Sequence, residues 1–338
     1  MKNLKKIGLS ALAGSLAITS ASAVEYSVTG DAIINYVSKD TNYASAETIT
    51  GTGMHSQMDL YFNASGELDN GWTVSFFQGV DTTSAWSNSS SQATLGMGSL
   101  GTLQFNAVAG SKANGIDDVT PFAFDEAWGT STDRPDFFGA STASGSIDYR
   151  IPAQEMMGAT VNASFTYDPA ADEGQAAERA ANTTNNTGTA YTLQIAHESG
   201  LEIGGGIENV DGNTSDEESA TAYIKYAFGP ISVGYQESYQ NTMNKAQDLE
   251  AEMMGIAYTA GDLTVSWSEQ TLTTNNASAA AVESELEAIQ AAGEVIDLAV
   301  RTRPVSGTHV SIRSGSVGGN LTPLAVRGWS GALEAVET

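Results

Sequence analysis

The chain of 338 residues is strongly acidic, because 40 Asp and Glu against 14 Lys and Arg give a formal charge of −26. Such an excess of negative charge repels the phosphates of nucleic acid, so we predict no nucleic-acid partner. The chain has no cysteine and only three histidines, His55, His197 and His309, far apart in sequence. Disulfides and thiolate metal sites are therefore excluded.

The first residues have the three-part build of a secretory signal peptide. Lys2, Lys5 and Lys6 precede an apolar stretch from Ile7 to Ile18, and small residues follow up to Ala23. The apolar stretch is shorter than the ~20 residues that a membrane-spanning helix needs. We predict cleavage after Ala23, which leaves 11 basic and 40 acidic side chains and a formal charge of −29. The alternative, a buried amphipathic helix, is disfavoured because all the charge lies at one end.

From residue 24 onward, apolar side chains recur at every second position in segments of about ten residues, which predicts β-strands. In one of them Val161, Phe165 and Tyr167 share a side, and Thr160 and Asn162 lie on the other. The clearest segments of this kind are 159–167, 224–228, 231–236 and 263–268. After the signal peptide no run of 18 or more apolar residues occurs. Any membrane integration would therefore use strands.

Very short turns alternate with long polar connections along the chain. The short turns are 68–71, 98–101, 198–200, 229–230 and 260–262, and the long connections are 38–53, 83–91, 108–144, 168–188, 211–218, 241–250 and 273–283. This alternation predicts that all long loops lie at one end of the strands. Thirteen strands up to Gln270, a fourteenth near 284–292 and room for two more predict sixteen strands.

A soluble β-sandwich also has alternating strands and is the main alternative. In this chain, however, the polar side of the strands consists mostly of Ser, Thr, Asn, Gln and Gly rather than Lys and Glu. Tyr and Trp recur near the strand ends, where a bilayer interface favours them, as at Tyr26, Trp72, Tyr167, Tyr258 and Trp267. These features favour a membrane barrel.

Three stretches, together with the signal peptide, resemble the trimeric general porins of Gram-negative bacteria, most of all those of the alphaproteobacteria. The stretches are the start 26–30, the hairpin 66–73 and the turn 98–103, and the resemblance covers about residues 1–292. It implies an all-β, sixteen-stranded antiparallel transmembrane β-barrel of the outer membrane, usually a homotrimer surrounded by lipid. It also implies a third long loop that folds inward and narrows a passage for small hydrophilic solutes and ions.

The segment 108–145 is the candidate for this loop, since it is far longer than its neighbours. Its aromatic residues, including Phe122, Trp128 and Phe138, supply apolar surface that the loop can bury, which argues against disorder. Folded inward, it would place acidic side chains at the narrowest point, with only Lys112 and Arg134 as bases. The predicted constriction residues are Asp117, Asp118, Asp125, Glu126, Asp133, Arg134 and Asp136.

The alternation also predicts which side chains of the wall face this loop. Two of them are basic, Arg150 and Lys225, and the others are acidic, namely Asp31, Asp59, Asp148, Glu202 and Glu208. A transverse field between an acidic loop and a basic wall orders water and favours polar solutes. Because bases are few, we expect a preference for cations.

Two sequence motifs resemble known ligand-binding motifs, but both are incomplete. Gly96–Gly101 matches the dinucleotide fingerprint, yet a predicted strand follows where the fingerprint needs a helix, so we predict a turn. Asp211–Glu218 has oxygen ligands but not the full calcium loop, so at most weak divalent binding is expected and no cofactor or metal site is predicted. No nucleophile motif occurs, and His55-Ser56 is the only adjacent pair worth testing. The alternatives to a pore are a surface adhesin and an outer-membrane hydrolase.

The last part of the chain departs from the pattern. Four of the seven arginines lie in the final 38 residues, and the chain ends Glu334-Ala335-Val336-Glu337-Thr338 rather than in a strand with a terminal aromatic residue. We therefore divide the chain into a signal peptide (1–23), a barrel (24–292) and an atypical segment (293–338). That segment contains either the last strands or an aberrant tail from a frame-shifted gene end, which we favour. Without proper last strands, barrel closure would leave unpaired backbone groups in lipid.

Overall fold

The computed structural model describes residues 25–40, 50–82, 86–123, 135–171, 187–212, 216–241, 247–261, 263–276, 282–292, 296–302 and 308–313, with the backbone alone for 31–40, 50–57, 276, 282–292, 296–302 and 308–313. The predicted signal peptide lies outside these residues. Helical structure in this part of the chain is confined to two 3₁₀ turns, Gly98–Leu100 and Asn114–Ile116. Neither turn has the length or apolar composition needed to cross a membrane.

The described residues form β-strands that follow one another along the chain. They are β1 (Glu25–Asp40), β2 (Thr50–Glu67), β3 (Thr73–Asp81), β4 (Ser87–Gly96), β5 (Thr102–Val108), β6 (Ser146–Arg150), β7 (Gln154–Met156), β8 (Ala159–Asp168), β9 (Thr187–His197), β10 (Leu201–Asp211), β11 (Glu217–Phe228), β12 (Ile231–Asn241), β13 (Gln247–Ala260), β14 (Leu263–Asn276), β15 (Val282–Ala292), β16 (Ile296–Thr302) and β17 (Thr308–Arg313). The four segments that showed the clearest alternation lie in β8, β11, β12 and β14, which confirms their assignment.

The strands form one antiparallel sheet in which most neighbours in sequence pair with each other. β6 and β7 both pair with β8, through Ile147↔Tyr167 and Gln154↔Val161. They are therefore two parts of one position in the wall, and Pro152 between them has no backbone N–H for a continuous ladder. Counted in this way, the described strands occupy sixteen positions in the sheet.

The first strand lies between two partners. β1 pairs with β2 along its whole length and with β16 through Tyr26↔Thr302 to Ala32↔Ile296. β17 in turn pairs with β16. Part of the atypical segment 293–338 thus extends the sheet beside β1, while the described pairings do not join β15 to β16.

The two faces of the sheet have opposite character. On the face that we call outer, Leu193, Ile203 and Ile224 are 48%, 41% and 48% exposed. On the inner face, Gln236 and Gln270 are at most 1% exposed. The register repeats this contrast from strand to strand, because Ile203 lies opposite both Ile195 and Ile224. A water-soluble domain has the reverse arrangement, whereas an apolar outer face and a polar interior are typical of transmembrane barrels.

Aromatic side chains mark both ends of the outer face. Tyr226, Phe228 and Tyr258 are exposed near the short turns, and Tyr167 and Tyr239 are exposed where β8 and β12 reach the long connections. The rings of Tyr226 and Phe228 are stacked with centroids 5.4 Å apart. Two aromatic girdles are what a bilayer with two interfaces favours.

The apolar clusters among the described residues do not lie between two sheets. The first contains Ile116, Phe138 and Tyr223, and the second contains Phe137 and Leu272. In both, residues from the connection between β5 and β6 pack on the inner face of later strands. This excludes the β-sandwich, whose core would lie between two packed sheets.

The outer face should not tolerate charge, since it contacts lipid in a membrane barrel. We expect Leu193→Arg to lower the free energy of unfolding in lipid vesicles by about 2–4 kcal/mol. Asn162→Arg is the matched control, because Asn162 is exposed on the inner face and its charge remains in water. Guanidinium unfolding followed by tryptophan fluorescence measures both. Equal tolerance at the two positions would contradict the assignment of the faces.

Candidate functional site

The connection between β5 and β6 turns towards the inner face as soon as β5 ends. We call residues 109–145 the inner loop, of which 109–123 and 135–145 are described. Ala109 and Gly110 both have positive φ, 50° and 92°, so the chain bends sharply there. The side-chain amide of Gln92 donates to the Ala109 carbonyl (3.1 Å) and that of Gln104 donates to the Gly110 carbonyl (2.9 Å). The direction in which the loop leaves the strand is thereby fixed.

Asp148 on β6 holds the start of the inner loop. Its carboxylate is fully buried and accepts a hydrogen bond from the Lys112 backbone N–H at 3.0 Å. It also accepts one from the Thr166 hydroxyl at 2.6 Å and lies 3.4 Å from the Arg150 guanidinium. A buried carboxylate needs such donors, because they replace the water that it has lost.

Gln236 on β12 holds the middle of the loop. This fully buried side chain accepts a hydrogen bond from the Val119 N–H at 2.8 Å. Its amide group donates to the carbonyls of Ile116 (2.9 Å) and Asp117 (2.8 Å). A buried polar group left without its partner costs about 1–3 kcal/mol, so this side chain contributes strongly to docking of the loop.

Two further side chains hold the loop at later points. The Ala123 N–H donates to the Ser266 hydroxyl on β14 at 2.7 Å. Glu208 on β10, only 1% exposed, accepts hydrogen bonds from the Gly139 N–H (3.1 Å) and the Thr142 hydroxyl (2.8 Å). The anchors on β6, β10, β12 and β14 together place the loop flat along that part of the inner face.

The predicted constriction residues are partly described. Asp117, Asp118 and Asp136 belong to the described part of the inner loop, whereas Asp125, Glu126, Asp133 and Arg134 lie outside the described residues. The Asp117 carboxylate accepts hydrogen bonds from the Asn114 side chain (2.8 Å) and the Asp118 N–H (2.9 Å). Burial raises the pKa of Asp117 to about 7; hydrogen bonding to Asp118 opposes this rise and the charge of Asp136 adds to it.

The predicted bases of the wall each have an acidic neighbour. Arg150 lies 3.4 Å from Asp148, and the Lys225 ammonium lies 3.3 Å from the Glu202 carboxylate. Lys225 also lies over the Tyr223 ring at 5.5 Å, and the Tyr223 hydroxyl donates to Glu202. The structure thus places four of the predicted wall residues in two ion pairs, and two of the wall acids, Asp148 and Glu208, anchor the loop.

Several residues of the site are not identifiable from the sequence. Gln236 and Ser266 lie on the predicted polar side of their strands, but nothing in the sequence identifies the loop as their partner. Elsewhere in the wall, Asp81 lies opposite Asp59 in the register of β2 and β3, and Asp59 lies opposite Asp31. Pairing between strands, rather than any motif, brings these aspartates together.

The glycine-rich motif forms a turn, while residues 213–215 of the acidic motif lie outside the described residues. Gly98–Leu100 is a 3₁₀ turn and β5 begins at Thr102, so a strand follows the glycine-rich motif as predicted. Within the part of the chain that the structure describes, no group of three or more His, Asp or Glu is placed to hold a metal ion.

Comparisons with known proteins agree with this geometry. The sequence model of a family described as Gram-negative porin matches residues 8–293. A porin structure refined at 1.8 Å resolution is similar, with a TM-score of 0.51, 15% identity and coverage of 86% of this chain and 98% of that one. The outer-membrane-expressed OmpT of Vibrio cholerae also has a TM-score of 0.51, with 11% identity and coverage of 83% and 88%. At these identities the structural likeness shows the fold alone. A search of curated proteins gave no match.

The raised pKa of Asp117 makes docking of the inner loop dependent on pH. In the docked loop the Asp117 carboxyl keeps its proton up to about pH 7, whereas in an undocked loop it releases the proton above pH ~4. Docking therefore weakens as the pH rises towards 7, and above that value the stabilisation from this proton is lost completely. Between pH 6 and pH 8 we expect a loss of about 1.4 kcal/mol. Exchange of the Val119 amide, corrected for its intrinsic rate, should therefore become about tenfold faster. In Asp117→Asn the difference between the two pH values should vanish, and its persistence would contradict this assignment.

Proposed function

This chain belongs to the Gram-negative porin family, and we propose that it forms a passive, cation-preferring diffusion pore for small hydrophilic solutes. It is a channel protein of the outer membrane and not an enzyme. The proposal concerns what passes through the channel and which sign of charge it favours.

The compensated bases of the wall are the observation that carries the proposal. Arg150 and Lys225 each have a carboxylate within 3.4 Å, so little of their positive charge reaches solutes. The described part of the inner loop contributes Asp117, Asp118 and Asp136 against the single base Lys112, and the sequence adds four more charged residues, three of them acidic. Acidic side chains around a narrow passage concentrate cations and repel anions.

The polar inner face supports passive diffusion of hydrated solutes. Asn162 is exposed on the inner face, and Gln194, opposite it in the register, is partly exposed. Such amide groups replace part of the hydration of a solute without binding it tightly. Diffusion makes and breaks no covalent bond, so the proposed function needs no cofactor. The alternative of a surface adhesin has no comparable support, because an adhesin needs no loop anchored inside its wall.

Reversal potentials test the preference for cations. In a planar bilayer with a tenfold KCl gradient, we expect stepwise conductance and a zero-current potential of the sign that cation flow produces. Glu202→Gln removes the partner of Lys225 and should shift that potential towards anions, whereas Lys225→Gln should shift it further towards cations. An anion preference of the unmodified protein would refute the proposed preference for cations, and a lack of conductance would refute the pore.

We also propose a homotrimer assembled through the outer face of β1 to β5. An apolar depression of about 440 Å³ lies there, lined by Tyr26, Phe62, Phe76 and Phe105 among others. These four rings are 40–56% exposed. Large exposed apolar patches mark interaction surfaces, and small side chains such as Ala93 and Ala107 leave room for a neighbour's side chains. The rest of the outer face contacts lipid.

Two single substitutions distinguish a trimer interface from an outer surface that only contacts lipid, one in the depression and one outside it. Phe105→Arg should convert the detergent-solubilised trimer to monomer, measured by size-exclusion chromatography with light scattering. Ile207→Arg is the control, because Ile207 is 53% exposed on the outer face of β10, away from the depression. It should destabilise the barrel in lipid but leave the trimer assembled. A monomeric unmodified protein, or equal loss of trimer in both variants, would contradict this interface.

A further inference from the structure

Two glycines on neighbouring strands lie directly beneath the inner loop. Gly234 on β12 and Gly255 on β13 are opposite each other in the register. A Cβ atom at Gly234 would lie 2.6 Å from Cδ of Pro121, which is closer than real contacts allow. A Cβ atom at Gly255 would collide with the carbonyl oxygen of Pro121. The loop therefore lies at a distance from the wall that only glycine permits at these two positions.

Pro121 is the centre of a stretch that is fixed on both sides. Two residues earlier, the Val119 N–H donates to Gln236 at 2.8 Å, and two residues later the Ala123 N–H donates to Ser266 at 2.7 Å. Proline has no N–H and a fixed φ, so its ring and its carbonyl are the groups that meet the wall. The two hydrogen bonds pull this stretch onto the sheet until Pro121 contacts the glycines.

A third glycine supports the loop where it returns. A Cβ atom at Gly206 on β10 would lie 2.6 Å from Cζ of Phe138. The same atom would also lie 2.7 Å from the Tyr191 carbonyl on β9, so Gly206 serves the sheet as well as the loop. Gly234 and Gly255 differ from it, because their nearest contact is the loop itself.

We infer that Gly234 and Gly255 form a seat for Pro121 that sets the distance between the inner loop and the wall, and thereby the width of the pore. Glycine inside a strand weakens the sheet and often marks a site where another backbone approaches closely. An added methyl group needs about 3.4–4 Å to its neighbours, so it would push the loop by roughly 1 Å into the open passage. The inference rests on the proposed pore and names the residues that determine its size limit.

Single-channel conductance and liposome swelling with sugars of increasing size test the seat. Gly234→Ala and Gly255→Ala should each lower the conductance at least about 1.3-fold and exclude the larger sugars first. Gly115→Ala is the matched control, since it adds the same methyl group to the same loop where nothing lies within 4 Å. It should conduct and swell like the unmodified protein.

Replacement of Pro121 shows whether a glycine variant conducts less because of its contact with Pro121 or because its strands are damaged. Gly234→Ala contacts the Pro121 ring, so the double variant with Pro121→Ala should recover the original conductance, because the new methyl group takes the place of the ring. Gly255→Ala contacts the backbone carbonyl instead, so Pro121→Ala should not rescue it. Pro121→Ala alone leaves the strands intact and should raise the conductance, because the ring no longer separates loop and wall.

The outcomes separate this inference from the proposed function. If the unmodified protein does not conduct, the pore itself is refuted. If it conducts, and the folded glycine variants conduct equally well or better, only the seat is refuted. Should either alanine variant fail to fold, Pro121→Ala decides, and an unchanged conductance in that variant overturns the seat. Circular dichroism and the heat-dependent shift in gel mobility confirm folding.

Discussion

Hydrogen bonds from buried wall side chains to the backbone of the inner loop are the interaction on which the interior depends. Because the apolar side chains of the strands lie on the outer face, few remain to form a hydrophobic core on the inner side. Asp148, Gln236, Ser266 and Glu208 instead satisfy polar groups of the loop, and the loop in turn satisfies theirs. Neither partner would be stable in place without the other, because buried polar groups without partners are costly.

The acidic character of the chain has two separate physical roles. Asp148 and Glu208 are buried, accept several hydrogen bonds and act as structural anchors. In the proposed pore, the acids of the inner loop have the other role, which is to present charge to solutes. Composition gives one large negative charge, but only the acids that remain accessible to the passage act on ions. A carboxylate enclosed by donors contributes rigidity, and its charge is largely neutralised by the dipoles around it.

Much of the fold is predictable from the sequence, because alternation is a local property. It identifies β8, β12 and β14 and assigns their faces, and the order of short and long turns predicts the antiparallel wall. The interruption at Pro152 and the partners of Gln236 are not predictable in this way. Alternation states which side of a strand a residue occupies, but the Val119–Gln236 contact joins residues 117 positions apart, and no local pattern specifies such a pair. Single residues such as Asp148 and Glu208 were recognisable as inner-face charges, while their function as anchors depends on tertiary contacts.

The order of the anchors along the chain has a consequence for assembly. The inner loop precedes each of its anchors in sequence, by 36 residues for Asp148, 69 for Glu208 and 143 for Ser266. During biogenesis this segment is therefore synthesised and exported before the strands that receive it. Its contact between Ala123 and Ser266 can form only once β14 is in place, so complete docking of the loop is a late event of folding.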